Sequence, residues 1–436
     1  MKNKLLLFIS FVIILNFYYP TVSSQGFFDI SLLGILNFFS RLEFSGIIIF
    51  LISFKIIFRL YKKNKYYRQI INFYALTVIL LILISMITTI EIDSDLNDLI
   101  YGFNGGIIKY INSFLVFSSF TAIFFIYRDK TNNFLSLFLF IAFFSSLWII
   151  MPIFTVQNLD LGFFNIYPIQ LIDFRDAYSG DIFLYSYGFR YQGFTSSSAI
   201  QGFISSVGVL IAGCRLFFSN LNWKNKILYI FILLFLLASV FLTQTRTFIF
   251  GIPLVFLFII FSKRSNLKKA APLLLIIIPL IIYYSANFIN TFNDVDDSVN
   301  FERSYDIESN RIDIVKNYFS ADEYNLKSFL LGDGILYSKK IRVLRVDGEE
   351  MNAHALLPDI FLKYGIFFGV IIFILYMYFL YIIFKKNTHY KNELNFKILN
   401  SIILLFFISN FITGSIHHND FQAIIYSFIL SNYIKT

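Results

Sequence analysis

Long apolar runs separated by short polar segments repeat along almost the whole chain of 436 residues. A helix needs about 17–25 mostly apolar residues to cross a bilayer. The pattern predicts about twelve such spans, near residues 5–19, 44–60, 69–90, 106–127, 133–154, 198–218, 227–242, 247–262, 270–289, 364–384, 398–415 and 421–434. Lipid offers no partner for unpaired backbone groups, so the pattern indicates an all-α, polytopic integral membrane protein.

Composition excludes a water-soluble protein. Hydrophobic residues make up 57% of the chain and charged residues only 14%, and the mean hydropathy is +0.70. Soluble domains are about 45–50% apolar and about 25% charged. The one cysteine, Cys214, cannot form an internal disulfide or a cysteine-rich metal site. The sequence also contains no Walker loop, HExxH motif or Cys/His metal spacing, so we expect no bound metal and no cofactor.

Basic residues concentrate in every second loop. The segments assigned to the cytoplasm are Lys2–Lys4, Arg59–Arg68, Arg128–Lys130, Arg215–Lys226, Lys263–Lys269, Lys385–Lys397 and Lys435. By the positive-inside rule, this asymmetry predicts that both termini are cytoplasmic. The net charge of +9 then reflects membrane orientation and not nucleic-acid binding. A second interpretation makes residues 1–24 a cleaved signal peptide, which would leave every later span in the same orientation.

Two outer loops, 155–197 and 290–363, are much longer than the rest. Loops longer than about 12–15 residues are uncommon unless they are functional or disordered. We expect the second loop, before the tenth span, to form a small helical extracytoplasmic cap on a single polytopic membrane domain, 1–436. No Asp or Glu falls inside any predicted span, which disfavours an ion-coupled carrier.

Four residues on the outer face are candidates for chemistry. Arg190 precedes a span, Arg246 lies in a short turn between two spans, and Arg311 opens a predicted amphipathic cap helix for which Asn310 is the N-cap. The arginine fork suits phosphate oxygens, although interfacial arginines also contact lipid headgroups. His354, entering the tenth span, can exchange protons near neutral pH as a general base, or it can cap a helix.

Four segments occur in one order along the chain: Arg190–Phe194 (RYQGF), Gln244–Thr247 (QTRT), Asn310–Arg311 with Leu331–Gly334 (LGDG), and Ala353–Leu357 (AHALL) with Tyr364–Gly369 (YGIFFG). Taken together, they resemble the motifs of the O-antigen polymerase and O-antigen ligase superfamily of bacterial envelope glycan enzymes. The resemblance covers roughly residues 185–370 and the topology of the whole chain.

This resemblance implies a GT-C-type fold and metal-independent glycosyl transfer from an undecaprenyl-pyrophosphate-linked oligosaccharide. The reaction would take place on the outer, periplasmic face of the bacterial inner (plasma) membrane, among membrane lipids and with a chain-length regulator as a partner protein. In this scheme Arg190 and Arg246 bind the pyrophosphate, and Arg311 assists them or shapes the cap. His354 acts as the base or orients the acceptor.

The expected activity is polymerisation of lipid-linked repeat units into O-antigen or capsule-like polysaccharide. One alternative is a ligase that transfers the glycan to lipid A core, since both enzymes share the donor and no short motif identifies the acceptor. An alternative of another class is a flippase for lipid-linked oligosaccharides.

The orientation is testable with reporter fusions. A reporter that is active only outside the cytoplasm should be active when fused near Asp160 or Asp322, and inactive near Lys65 or Lys386, because the basic loops are retained inside. Reporter activity in each fusion is the measurement. The reverse pattern would overturn the orientation.

Overall fold

The computed structural model describes residues 44–91, 96–147, 159–160, 165–166, 198–243, 246–262, 325–336, 356–385, 393–413 and 420–433. This part of the chain is almost entirely helical. Its helices are α1 (Phe44–Lys63), α2 (Lys65–Glu91), α3 (Leu96–Ile126), α4 (Thr131–Ser146), α5 (Ser198–Phe218), α6 (Trp223–Leu242), α7 (Arg246–Ser262), α8 (Leu326–Leu331), α9 (Leu356–Lys385), α10 (Glu393–Thr413) and α11 (Asp420–Tyr433).

The remaining elements are short. Single 3-10 turns cover Arg128–Lys130 and Gly334–Leu336. Strand β1 (Leu159–Asp160) pairs antiparallel with β2 (Asn165–Ile166) inside the predicted outer loop 155–197, with Leu159 opposite Ile166. Neither the turns nor the strand pair changes the all-α class.

Helix length and composition indicate a membrane protein. Within the described residues, 4 helices are long and apolar enough to cross a bilayer, or up to 5 if a bent pair counts as one span. The 4 candidate spans are Lys65–Thr88, Gln201–Phe218, Trp223–Leu242 and Leu357–Tyr378. These 4 helices have the length and apolar composition of membrane spans, as the hydropathy pattern of the sequence predicts.

Ten of the twelve predicted spans overlap a helix of the described residues. Span 198–218 coincides with α5, and most of the others differ from their helices by a few residues at each end. Predicted spans 5–19 and 270–289 lie outside the described residues. Helix α3 begins at Leu96 and not at 106. Helix α9 begins at Leu356 and not at 364. Its first two turns therefore belong to what the sequence assigned to the outer loop 290–363.

The chain forms two compact units. Unit 1 contains Met1–Ser45, Ile126–Leu275 and Tyr390–Phe406, and unit 2 contains Gly46–Phe125, Ile276–His389 and Phe407–Thr436. Each unit therefore combines three stretches of chain.

Helix α5 is the centre of unit 1, where it packs against α4, α6 and α7. Glycines on α5 make this close packing possible. A Cβ atom at Gly208 would lie 2.6 Å from Ala142 Cβ, and one at Gly213 would lie 2.5 Å from the Phe256 ring. Small residues at such interfaces let helices approach closely in lipid, where water does not drive them together.

In unit 2, residues 325–336 pack against α2 and α9. Asn325 caps α8 by accepting a hydrogen bond from Ser328 N–H at 3.0 Å. Helix α8 then ends at Gly332, whose φ of 79° and ψ of 174° are accessible essentially only to glycine. Gly365 interrupts α9 with φ 63° and ψ −179°, so both contacting segments turn at a glycine.

Gly332 and Gly365 meet backbone to backbone. A Cβ atom on Gly332 would lie 2.6 Å from Lys363 O and would overlap Gly365 N. A Cβ atom on Gly365 would in turn overlap the Leu330 carbonyl. Asp333 N–H donates a hydrogen bond to Leu362 O at 2.8 Å beside this contact. We call the meeting of these two glycines the glycine contact.

Replacing Gly365 by alanine should weaken unit 2. The backbone strain alone costs about 1–3 kcal/mol, and the added methyl group overlaps the Leu330 carbonyl. We expect Gly365→Ala to lower the apparent melting temperature of the purified protein by several degrees. The control is Val370→Ala, at a position on the same helix that is 39% exposed. Equal melting temperatures for the two variants would contradict the glycine contact.

Candidate functional site

Of the four candidate residues, only Arg246 falls within the described part of the chain. Arg190, Arg311 and His354 lie outside the described residues. Arg246 is the first residue of α7, and α7 is 17 residues long. The first N–H groups of a helix have no intrahelical acceptor, and the helix dipole is positive at this end. The backbone at Arg246 is therefore at an end of α7 that favours an anion.

The residues that flank Arg246 are buried and closely packed. Thr247 and Phe248 are 7% and 3% exposed. Thr243, which follows α6, is buried and donates its hydroxyl to Val240 O at 2.7 Å. Gly202 of α5 lies close to one residue before Arg246 and one residue after it. A Cβ atom on Gly202 would lie 3.0 Å from Thr243 Oγ1 and 2.8 Å from the Phe248 ring. The start of α7 is thus held against α5.

A buried polar cluster adjoins Gly202. The Nε2 atom of Gln201 lies 3.2, 3.3, 2.9 and 3.2 Å from the Oγ atoms of Ser145, Ser146, Ser205 and Ser239. These five residues, which we call the Gln201 cluster, are all 0% exposed. They come from α4, α5 and α6, so a single amide joins three helices by hydrogen bonds.

In unit 2, the LGDG segment is held on two sides. Asp333 is 1% exposed, and its Oδ1 accepts a hydrogen bond from Ser328 Oγ at 2.8 Å. Ile335 N–H donates to Ser85 Oγ of α2 at 2.8 Å. A Cβ atom on Gly334 would lie 2.6 Å from Ser85 Cα. Glycine at 334 therefore lets the loop lie directly on α2.

An ion pair is buried at the start of α9. Lys363 Nζ lies 2.8 Å from Asp359 Oδ2, one helical turn earlier, with side chains 4% and 7% exposed. The same ammonium group donates to Tyr110 Oη of α3 at 3.1 Å. Charges at membrane depth are costly unless paired, and they often mark functional positions. Asp359, Lys363 and Tyr110 are therefore additional candidates.

The prediction that no acidic residue falls within a span is wrong for this helix. The candidate span Leu357–Tyr378 contains Asp359 and Lys363. The search for an uninterrupted apolar run placed the start of this span after Lys363, because the two charges broke the run. Their spacing of four residues was the available signal, since opposite charges at i and i+4 meet on one helix face.

The start of α7 has features that favour an anion. Among the described residues, no group of three or more His, Cys, Asp or Glu residues could hold a metal ion. The start of α7 instead combines a helix N-terminus with an arginine in the sequence. That combination suits phosphate or pyrophosphate oxygens.

Comparisons with protein-family models, with curated proteins and with solved structures find no match to this chain.

The buried ion pair should respond unequally to single and double substitution. Lys363→Met removes the ammonium group from beside a buried carboxylate, which typically costs about 3–5 kcal/mol. Replacing both residues, as in Lys363→Met/Asp359→Leu, should recover most of that loss because neither charge remains. Thermal unfolding of the purified variants measures both effects.

The control is Lys224→Met, at an exposed lysine on α6, which should change stability little. A Lys363→Met protein as stable as this control would contradict a buried pair at Asp359.

Proposed function

We propose that this protein is a glycosyltransferase that polymerises undecaprenyl-pyrophosphate-linked repeat units into O-antigen or capsule-like polysaccharide. It acts as a GT-C-type enzyme of about twelve spans in the bacterial inner membrane. Both termini are cytoplasmic, and the active site faces the periplasm. The reaction needs no metal ion.

The observation that carries this proposal is the position of Arg246 at the start of α7. A pyrophosphate leaving group gains negative charge as its bond to the sugar breaks. Donors fixed in advance stabilise such charge more strongly than mobile ones do. The buried, closely packed Thr247 and Phe248 fix the position of the backbone at this helix N-terminus.

The glycine contact gives a second, independent support. Two of the segments that carry the family resemblance, LGDG and YGIFFG, are more than thirty residues apart in sequence. They meet through Gly332 and Gly365. Motif segments that act together have to be neighbours, and within unit 2 these two segments are. The sequence order alone did not require it.

The proposed reaction assigns one task to each residue. An acceptor hydroxyl of one repeat unit attacks the anomeric carbon of the donor sugar, while the bond from that carbon to the pyrophosphate oxygen breaks. His354 takes the hydroxyl proton. Arg190 and Arg246 bind the departing pyrophosphate, which leaves on its undecaprenyl carrier with the bonding electrons, and Arg311 assists them or shapes the cap.

Arg246→Lys should remove most of the activity although the charge is kept. Lysine is a point charge and cannot donate two parallel hydrogen bonds to a phosphate. Losing one charge-assisted hydrogen bond of about 1.5–3 kcal/mol corresponds to about a tenfold to hundredfold lower rate. The measurement is glycan chain growth by the purified protein in vesicles that contain the lipid-linked repeat unit.

The matched control is Arg215→Lys. Arg215 lies in the last turn of α5. It donates hydrogen bonds to Tyr229 Oη at 3.1 Å and to Ser136 Oγ at 3.0 Å, so it has a structural role. This variant should elongate glycan at close to the normal rate. Normal elongation by Arg246→Lys would refute the phosphate role of Arg246.

The buried Asp359–Lys363 pair favours a second candidate, the lipid-linked oligosaccharide flippase, because coupled transporters use ionisable groups at membrane depth. Vesicles containing only this protein and its lipid-linked substrate separate the two functions. An enzyme lengthens the glycan, whereas a flippase moves the unchanged substrate between leaflets. Supplying lipid A core as the acceptor distinguishes a ligase from a polymerase.

A further inference from the structure

We infer that Gln201 is a positioning residue: through the serines of the Gln201 cluster it fixes the start of α7 and thereby the backbone position of Arg246. The inference deepens the proposed function and rests on it for the identity of what Arg246 binds. All the residues that carry it belong to unit 1.

The first step is that the Gln201 cluster fixes α5 relative to α4 and α6. Besides its contacts with Gln201, Ser205 Oγ lies 2.8 Å from Ser239 Oγ of α6 and 3.2 Å from Ser146 Oγ of α4. Hydrogen bonds are directional, so they set the axial position of a helix in a way that apolar contacts with lipid-like side chains do not. The cluster therefore defines the register of three helices at one level.

The second step connects that register to Arg246. Gly202 follows Gln201 directly, and it contacts Thr243 and Phe248 so closely that a single added methyl group would overlap them. Those two residues flank Arg246 in the sequence. Packed protein interiors transmit small displacements because they contain little free volume. A shift of α5 against α6 would consequently move the start of α7.

The third step is that the amide does not give the most stable packing. Gln201 Oε1 is buried and has no hydrogen-bond partner. Rotating the amide by half a turn exchanges its oxygen and nitrogen, so one of the two atoms stays unsatisfied in either orientation. Such an atom costs about 1–3 kcal/mol, whereas a leucine would pack without that cost. The cluster contributes geometric precision more than stability.

The experiment measures how often the start of α7 opens. Thr247 is 7% exposed, so a cysteine placed there by Thr247→Cys should react slowly with a maleimide. The native Cys214, 0% exposed, lies on α5 and reports on any general loosening of unit 1. Peptide mass spectrometry separates the labelling rates of the two cysteines.

Two adjacent serines provide a matched pair. Ser205 and Ser206 both lie on α5 and are both 0% exposed. Ser205 belongs to the cluster, whereas Ser206 donates its hydroxyl to Gly202 O within the same helix at 2.5 Å. In Ser205→Ala and Gln201→Leu, the maleimide labelling rate at position 247 should rise about threefold or more, because local opening depends on local contacts. In Ser206→Ala, this rate should equal that of the parent.

Activity is measured in the same variants without the added cysteine. We expect the KM for the lipid-linked donor to rise by up to about tenfold in Gln201→Leu and Ser205→Ala, with a smaller change in kcat, because a displaced Arg246 loses donor binding. Ser206→Ala should keep both constants, and Gln201→Leu should retain a melting temperature close to that of the parent.

Equal labelling rates at position 247 in all variants would overturn the inference. It would also be overturned if labelling of Cys214 became faster by the same factor as labelling at position 247, because that result would show a merely structural role. Faster labelling at position 247 with unchanged KM and kcat would support the positioning of α7 but overturn the phosphate role of Arg246. The Arg246→Lys variant tests that phosphate role separately, so the two failures can be told apart.

Discussion

Within the hydrocarbon core of a membrane no water is available to hydrogen-bond with the polypeptide, so each polar group must find its partner inside the protein. Small hydroxyl side chains meet this demand locally. Ser53, Thr88 and Ser427 each donate to the carbonyl oxygen four residues earlier in their own helix. Larger polar groups cannot do so, and they need neighbouring helices. The Gln201 cluster and the Asp359–Lys363 pair are the places where this requirement shapes the described structure.

The apolar pattern of the sequence located most of the described helices, because length and hydropathy are properties of a single segment. Span 198–218 therefore coincides with α5. The start of α9 was wrong by eight residues, since Asp359 and Lys363 interrupted the apolar run. Their pairing neutralises both charges within one helical turn. A hydropathy sum counts each charge separately and cannot include that cancellation.

The candidate site was predicted less completely than the fold, because its geometry depends on contacts between distant residues. Arg246 could be proposed as a site residue from its place in a short turn between two spans. Gln201 could not, because its partners Ser145 and Ser239 lie 56 and 38 residues away. A single sequence does not show whether a serine inside a span makes an interhelical hydrogen bond or only packs as a small residue. These five residues lie together only because α4, α5 and α6 pack in this register.

In each unit a closely packed glycine lies next to a buried polar group: Gly202 follows Gln201, and Gly365 comes two residues after Lys363. The glycine allows two backbones to approach closely, but it does not determine the register of one helix against the other, because apolar contacts are not directional. The directional hydrogen bonds of the neighbouring polar group determine that register. A bidentate arginine must be held within about 0.5 Å of the position from which it donates to both phosphate oxygens. A transferase that binds pyrophosphate without a metal ion would therefore depend on such paired features, since no cation is present to compensate for a misplaced guanidinium group.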